Sequence, residues 1–289
     1  MRKNIISMII ILFVFSLLIP FISSCGNKPV NDVFGTGTGL TDSATDEALK
    51  GTTGDAVSKE SNNNEIDNTS VQSKDVNNFT TPEAAIEHFV NAIKNNDVKG
   101  ALETCAIDES SEGYDFIGTA NRLKVLMPTI NLAPSNFKMY IDINKLIQAA
   151  SIGNQIKLFV YSFFTTEGLD GKPVVITSDN QATDFVSAAD PQGLSKLILK
   201  EIGIPDKSIM YSEKNIENFN KHAQLYGADE QTERVVLYEL NGEYYCGGFQ
   251  IMRYKNNWKI ISLYSNLAGQ SPYGTVTKIT QVEFEQILQ

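Results

Sequence analysis

The side chains that could do chemistry are few and lie far apart. Tyr114 stands next to Asp115 with Asp108 nearby, pairing a phenolic hydrogen-bond donor with carboxylates able to take a proton. In a loop, the same three residues are more often solvated groups with no role in catalysis. Of the two histidines, His88 falls off the apolar face of its helix and His222 falls on a polar flank. Neither has cysteines or paired carboxylates at ligand spacing, so no metal is expected. No cofactor is indicated. The zinc-protease helix, the phosphate loop, the serine-hydrolase elbow and Cys-x-x-Cys are all missing from the chain, which removes the common catalytic routes without excluding catalysis. What remains is an aromatic set near the end: Tyr238, Tyr244, Tyr245, Phe249, Tyr254, Trp258 and Tyr264. Tyr245 and Trp258, with Tyr114 and Asp115, are the candidates for lining a pocket for a hydrophobic or sugar-like ligand. The alternative is that the rings fill a core and pair across strands.

The elements that must position these groups begin at Thr81-Pro82-Glu83. A capping hydroxyl, a proline suited to the first helical turn and an acid at the positive end of the dipole announce a helix there. Ile86, Phe89, Val90 and Ile93 give it one apolar face. A second helix opens at Asp97 and carries Cys105 inward; a third is expected over Ser110 to Leu126. A strand over Phe137 to Ile141 then precedes a helix. Ile156 to Thr165 and Pro173 to Ser178 read as a hairpin around Gly168-Leu169-Asp170-Gly171. Asp190-Pro191 opens a helix through Ile202, stopped by Gly203 and Pro205. Ser208 to Tyr211 reads as a short strand, and Ile216, Phe219, Ala223 and Tyr226 as one more helix closed by Gly227. Asn241-Gly242, between Thr232–Leu240 and Glu243–Tyr254, is the strongest hairpin signal because both turn residues tolerate positive φ. A third strand follows, Trp258 to Ser265, and Gly247-Gly248 suggests a bulge or bend in the middle one, as a strongly curved sheet would need.

Charge narrows the partners. With 24 Lys and Arg against 34 Asp and Glu, the formal charge is -10, and no basic stripe is visible. Nucleic acid is therefore excluded as a partner. Of three cysteines, Cys105 and Cys246 are either a disulfide or two separately buried thiols.

The first residues decide where such a chain would reside. Arg2 and Lys3 precede an almost wholly apolar run from Ile5 to Ile22, the build of a secretory signal. Its exit, Ile22-Ser23-Ser24-Cys25, resembles a bacterial lipoprotein signal, whose lipobox is an aliphatic residue, two small residues and a cysteine. The resemblance implies cleavage after residue 24, acylation of Cys25 with fatty chains such as palmitate, and attachment to the extracytoplasmic face of the cell membrane. Two or more chains make such attachment lasting. A retained membrane-spanning helix is the alternative, disfavoured by the small-small-Cys exit and the polar tract behind it. Residues 25–79 follow as a polar linker with a coil reach of about 40 Å. Gly35-Thr36-Gly37-Thr38-Gly39-Leu40 lies within it and lacks the flanking strand and helix of a dinucleotide loop.

Thr81-Pro82-Glu83-Ala84-Ala85 with Phe89, Ala92, Asp97 and Ala101-Leu102, together with the closing Trp258-Lys259-Ile260, is similar to the two ends of nuclear transport factor 2-like domains. That resemblance implies an α+β fold in residues 80–289, N-terminal helices packed on a curved antiparallel sheet to form a cone, with an inserted helical segment near 190–227. The expected function is a lipid-anchored module that binds a small ligand or a surface protein without catalysis. The alternatives are an isomerase, dehydratase or hydrolase working inside the cone, and the solute-binding component of a transporter.

Overall fold

The computed structural model describes residues 78–126, 132–165, 168–169, 174–269 and 273–289. The signal, its Ile22–Cys25 exit and the linker through residue 77 lie outside the described residues. The first helix, α1 (Pro82–Lys94), forms as its sequence dictates: Thr81 Oγ1 accepts the Ala84 N–H at 3.1 Å, and Ala85, Ile86, Phe89, Val90 and Ile93 are buried. Then come α2 (Val98–Glu103), capped by Asp97, α3 (Ile107–Glu112), α4 (Phe116–Leu123), α5 (Lys138–Ser162) and α6 (Gln181–Ala188). A 3-10 turn (Pro191–Lys196) leads into β1 (Ile198–Gly203), α7 (Lys207–Met210) and α8 (Glu213–Leu225). The chain closes with β2 (Glu230–Leu240), β3 (Glu243–Tyr254), β4 (Asn257–Ser262), β5 (Thr277–Lys278) and α9 (Gln281–Ile287).

The fold is α+β. The sheet is antiparallel in the order β1-β2-β3-β4, and β5 joins β3 at Tyr245 and Cys246. As expected, Asn241 and Gly242 turn β2 into β3 with φ of 53° and 83°, and Leu240 faces Glu243 across a two-residue loop. One face of the sheet presents Val236, Tyr238, Leu240, Phe249, Ile251 and Ile260 to α1 and to the C-terminal half of α5. Phe89, Phe159, Phe163, Phe249 and Tyr238 meet there edge to face with centroids 5.2–5.8 Å apart. The other face carries two smaller clusters, Val235, Leu237, Cys246 and Phe284 under α9, and Ala223, Ala228 and Met252 under α8. An ion pair, Arg234 Nε to Glu83 Oε1 at 2.6 Å, pins the start of α1 to β2.

Several expectations are corrected. The single helix over 110–126 is two, broken at Gly113, which lies so close to Gly227 that an added Cβ would come within 2.9 Å of its Cα. Residues 137–141 are not a strand: α5 begins at Lys138, bonded to Asp142 one turn on. The β-branched residues there yield to packing, because Ile152, Ile156, Phe159 and Phe163 recur at helical spacing along the core. The same stripe removes the hairpin expected from Ile156; of its expected turn, Gly168-Leu169-Asp170-Gly171, residues 170 and 171 lie outside the described residues. Asp190 does cap, accepting the Gln192 N–H at 2.9 Å, but only one 3-10 turn follows. Ile198–Gly203 is a strand because β2 offers it a ladder, so residues 190–227 contribute to the sheet and are not simply a helical insertion. Residues 207–210 are helical under the Asp206 cap. The β2–β3 register runs unbroken through Gly247-Gly248, so no bulge lies there. A Cβ at Gly247 would come within 2.9 Å of Val276 and 3.1 Å of Tyr238; glycine is required for close approach.

Phe89 is fully buried and touches two other rings, so Phe89→Ala should cost about 3–5 kcal/mol. Glu87→Ala, on the exposed side of the same helix, should stay within about 0.5 kcal/mol. Urea denaturation of the two variants checks both values.

Candidate functional site

The four pocket candidates do not converge. Tyr114 is buried with its ring 5.7 Å from that of Tyr226, on the α8 side of the sheet. Asp115 is occupied as the cap of α4, its Oδ1 accepting the Gly118 N–H at 2.8 Å. Asp108 is 3.1 Å from the Lys145 ammonium. Tyr245 packs on Phe163 at 5.0 Å, at the β5 end of β3. Trp258 is buried on β4 in the main core, with the Arg253 guanidinium 5.8 Å from its ring. Space under the sheet that could hold a ligand is filled by the rings of Phe89, Phe159, Phe163, Tyr238 and Phe249.

Cys105 and Cys246 belong to different clusters on opposite faces of the sheet, and no disulfide joins them. Burial pushes each thiol up to about 12. His88 is half-buried against the ring of Phe79, 5.2 Å away. Among the described residues, no three His, Cys, Asp or Glu side chains are placed to hold a metal ion, and no helix is long and apolar enough to cross a membrane.

The polar constellation that the fold does assemble lies on the α8 face. His222 Nδ1 donates to Gln231 Oε1, which leaves Nε2 to accept, and its ring stands 5.2 Å from Tyr226. Burial, aided by the Arg122 charge, lowers the imidazole below its ordinary value and keeps it neutral at pH 7. Burial also raises Tyr226, to about 12, and Tyr114, so both remain hydrogen-bond donors. Two residues along β2, Glu233 is wholly buried and accepts from Gln250 Nε2 (3.1 Å), Ser265 Oγ (2.8 Å) and the Leu267 N–H (3.1 Å). Burial raises its carboxyl despite these bonds. Tyr264 and Tyr273 stack beside it at 4.3 Å, both raised by burial. The set can hold a proton on a neutral imidazole and offer phenolic donors. It also ties the loop after β4 to the sheet.

Sequence reasoning missed Glu233, Tyr273 and the Gln231 partner of His222. A signal did exist: Gln231-Thr232-Glu233-Arg234 places four polar residues in a row within a strand otherwise rich in valine and leucine. On a strand covered on both faces, each of them must find a partner. A separate open surface groove of about 380 Å³ lies between β3, β5 and the start of α9, lined by Glu243, Tyr244, Lys278, Thr280 and Glu283. The Lys278–Glu243 ion pair, 2.9 Å long, belongs to its wall.

No protein-family model matches the sequence, and no curated protein sequence matches it. Among solved structures the chain is similar to a cystatin-like protein from Ruminococcus gnavus ATCC 29149, at 20% identity with a TM-score of 0.44. The match covers 72% of this chain and 43% of that one, so the chain spans less than half the length of that protein.

The folded value of His222 lies below its unfolded value near 6.5, so below that pH the unfolded chain binds the extra proton and stability falls as pH drops. Glu233 acts with the opposite sign, since its raised carboxyl takes up a proton first in the folded state. Relative to His222→Gln, which retains Glu233, the wild type should lose stability between pH 7.5 and pH 5.5. Urea midpoints at the two pH values check this.

Proposed function

We propose that this chain is a lipid-anchored extracytoplasmic protein whose folded part is a noncatalytic interaction module working through its surface. The noncatalytic part is carried by one observation: the face of the sheet where an NTF2-like cone would hold a ligand is packed solid by Phe89, Phe159, Phe163, Tyr238 and Phe249. A closed interior leaves the exterior as the place where partners are met. The anchor rests on the sequence Ile22-Ser23-Ser24-Cys25 at the exit of an apolar run with a basic start. An acyl group on Cys25 would hold the module at the outer face of a bacterial membrane, and the polar residues behind it would serve as a tether.

Both halves are open to test. Cys25→Ala should abolish incorporation of labelled palmitate and leave the precursor uncut; normal labelling of the variant would overturn the anchor. Titration of the wild type with indole should give no saturable NMR shifts at Phe89 or Phe159, whereas Phe159→Ala, which empties a ring-sized space, should bind it. Saturable binding of indole inside the wild type would overturn the closed interior.

A further inference from the structure

The most distinctive surface of the chain is one side of α5. This helix has 25 residues, about 37 Å in length, and apolar residues on all sides. Its inward side is accounted for: Ile152, Ile156 and Phe159 lie in the core, and Asn144 exchanges hydrogen bonds with the Ala133 N–H (2.7 Å) and C=O (2.8 Å). The opposite side is not. Met139 is 64% exposed, Ile143 39%, Leu146 72% and Ile147 37%, and Ala150 is exposed as well. Around Gly153 nothing lies within 4 Å of where a Cβ would stand.

Residues 139, 143, 146, 150 and 153 follow the alternating four- and three-residue steps of a heptad seam. Its composition is graded along the helix. Met139 and Ile143 are bulky, Leu146 sits at the middle, and Ala150 and Gly153 are small. A second helix of the same sequence laid antiparallel, with a two-fold axis at Leu146, would set Met139 against Gly153, Ile143 against Ala150 and Leu146 against itself. Large therefore meets small on either side of the central Leu146 pair, the self-complementarity that a two-fold interface needs. A parallel pairing would instead put Gly153 on Gly153 and leave a gap.

The area fits the same occupant. The four large side chains and Ala150 expose on the order of 450 Å² of apolar surface, the size of the largest patch on a typical monomer, which is often functional. That is more than half of the roughly 800 Å² each partner contributes to a standard interface, with Lys138, Asp142 and Asn154 left for a polar rim. We propose that α5 pairs antiparallel with α5 of a second copy of this chain, about a two-fold axis at Leu146. The pairing goes beyond the function proposed above, because it requires neither the lipid at Cys25 nor the filled interior.

Cysteine cross-linking in the full chain tests the pairing and its direction, with the unsubstituted chain alongside to report any link through native thiols. Under mild oxidation Leu146→Cys should run as a dimer on a nonreducing gel. Met139→Cys alone should stay monomeric, since the two sulfurs would lie about 21 Å apart along the paired helices. Combining Met139→Cys with Gly153→Cys should restore the dimer. Leu146→Asp, at a site outside the core, should keep the far-ultraviolet spectrum and raise the dimer dissociation constant at least tenfold in sedimentation. Monomeric Leu146→Cys with a monomeric unsubstituted chain at tens of micromolar would overturn the proposal. So would self-linkage of Met139→Cys alone as readily as of Leu146→Cys, linkage to a product of another mass, or adsorption to lipid vesicles through this stripe without a dimer.

Discussion

Edge-to-face contact among aromatic rings is the interaction on which the rest of this structure depends. Phe89 from α1, Phe159 from α5 and Phe163 at its C-cap, and Tyr238 and Phe249 from the β2–β3 hairpin come from parts of the chain up to 160 residues apart and meet at one place. Rings of this size bury large areas and prefer tilted geometry, so each fixes the angle of its neighbours as well as their distance. Two consequences follow for the backbone. β3 must carry glycine at 247 to let Tyr238 and Val276 come close, and α5 must stay helical through Ser162 so that three of its turns face the rings.

With one face of the sheet committed to that cluster, β2 has to carry its charges back to back. Arg234 turns toward α1 and Glu83, while Glu233 turns the other way and holds the loop after β4. The buried Glu233 carboxyl is tolerated because donors from Gln250, Ser265 and Leu267 converge on it, the last two from that loop. The alternation of side chains along an extended strand thus ties the position of a helix on one side to the position of a loop on the other.

The sequence was most legible where a single local interaction decided the geometry. Thr81 and Pro82 mark the start of α1, Asn241-Gly242 marks the hairpin, and Gly227, with φ of 71°, closes α8. It was least legible where two periods competed. Leu194, Leu197, Ile198 and Ile202 satisfy helical spacing, and only the presence of β2 as a hydrogen-bonding neighbour makes Ile198–Gly203 extended. Ile141 and Ile143 favour strands locally, yet lie in a helix whose distant half is held by the core. The polar cluster was harder still, because His222, Gln231, Glu233 and Tyr273 acquire their surroundings only through tertiary contacts. Asp115, legible as chemistry, turned out to be spent on a cap.

The border of the sheet formed by β4 has a bearing on how this protein tolerates company. Its main-chain groups are already engaged: the Trp258 N–H donates to Phe79 O at 2.8 Å, the Ile260 N–H to Thr104 O at 3.0 Å, and the Ile260 carbonyl accepts from Ala106 at 2.8 Å. Below them the Lys259 ammonium, buried, donates to the Glu103 carbonyl at the end of α2. A stray β-strand from a crowded neighbour meets these rungs already taken, so fibril-like stacking at Trp258 and Ile260 must first peel away two segments of the protein's own chain.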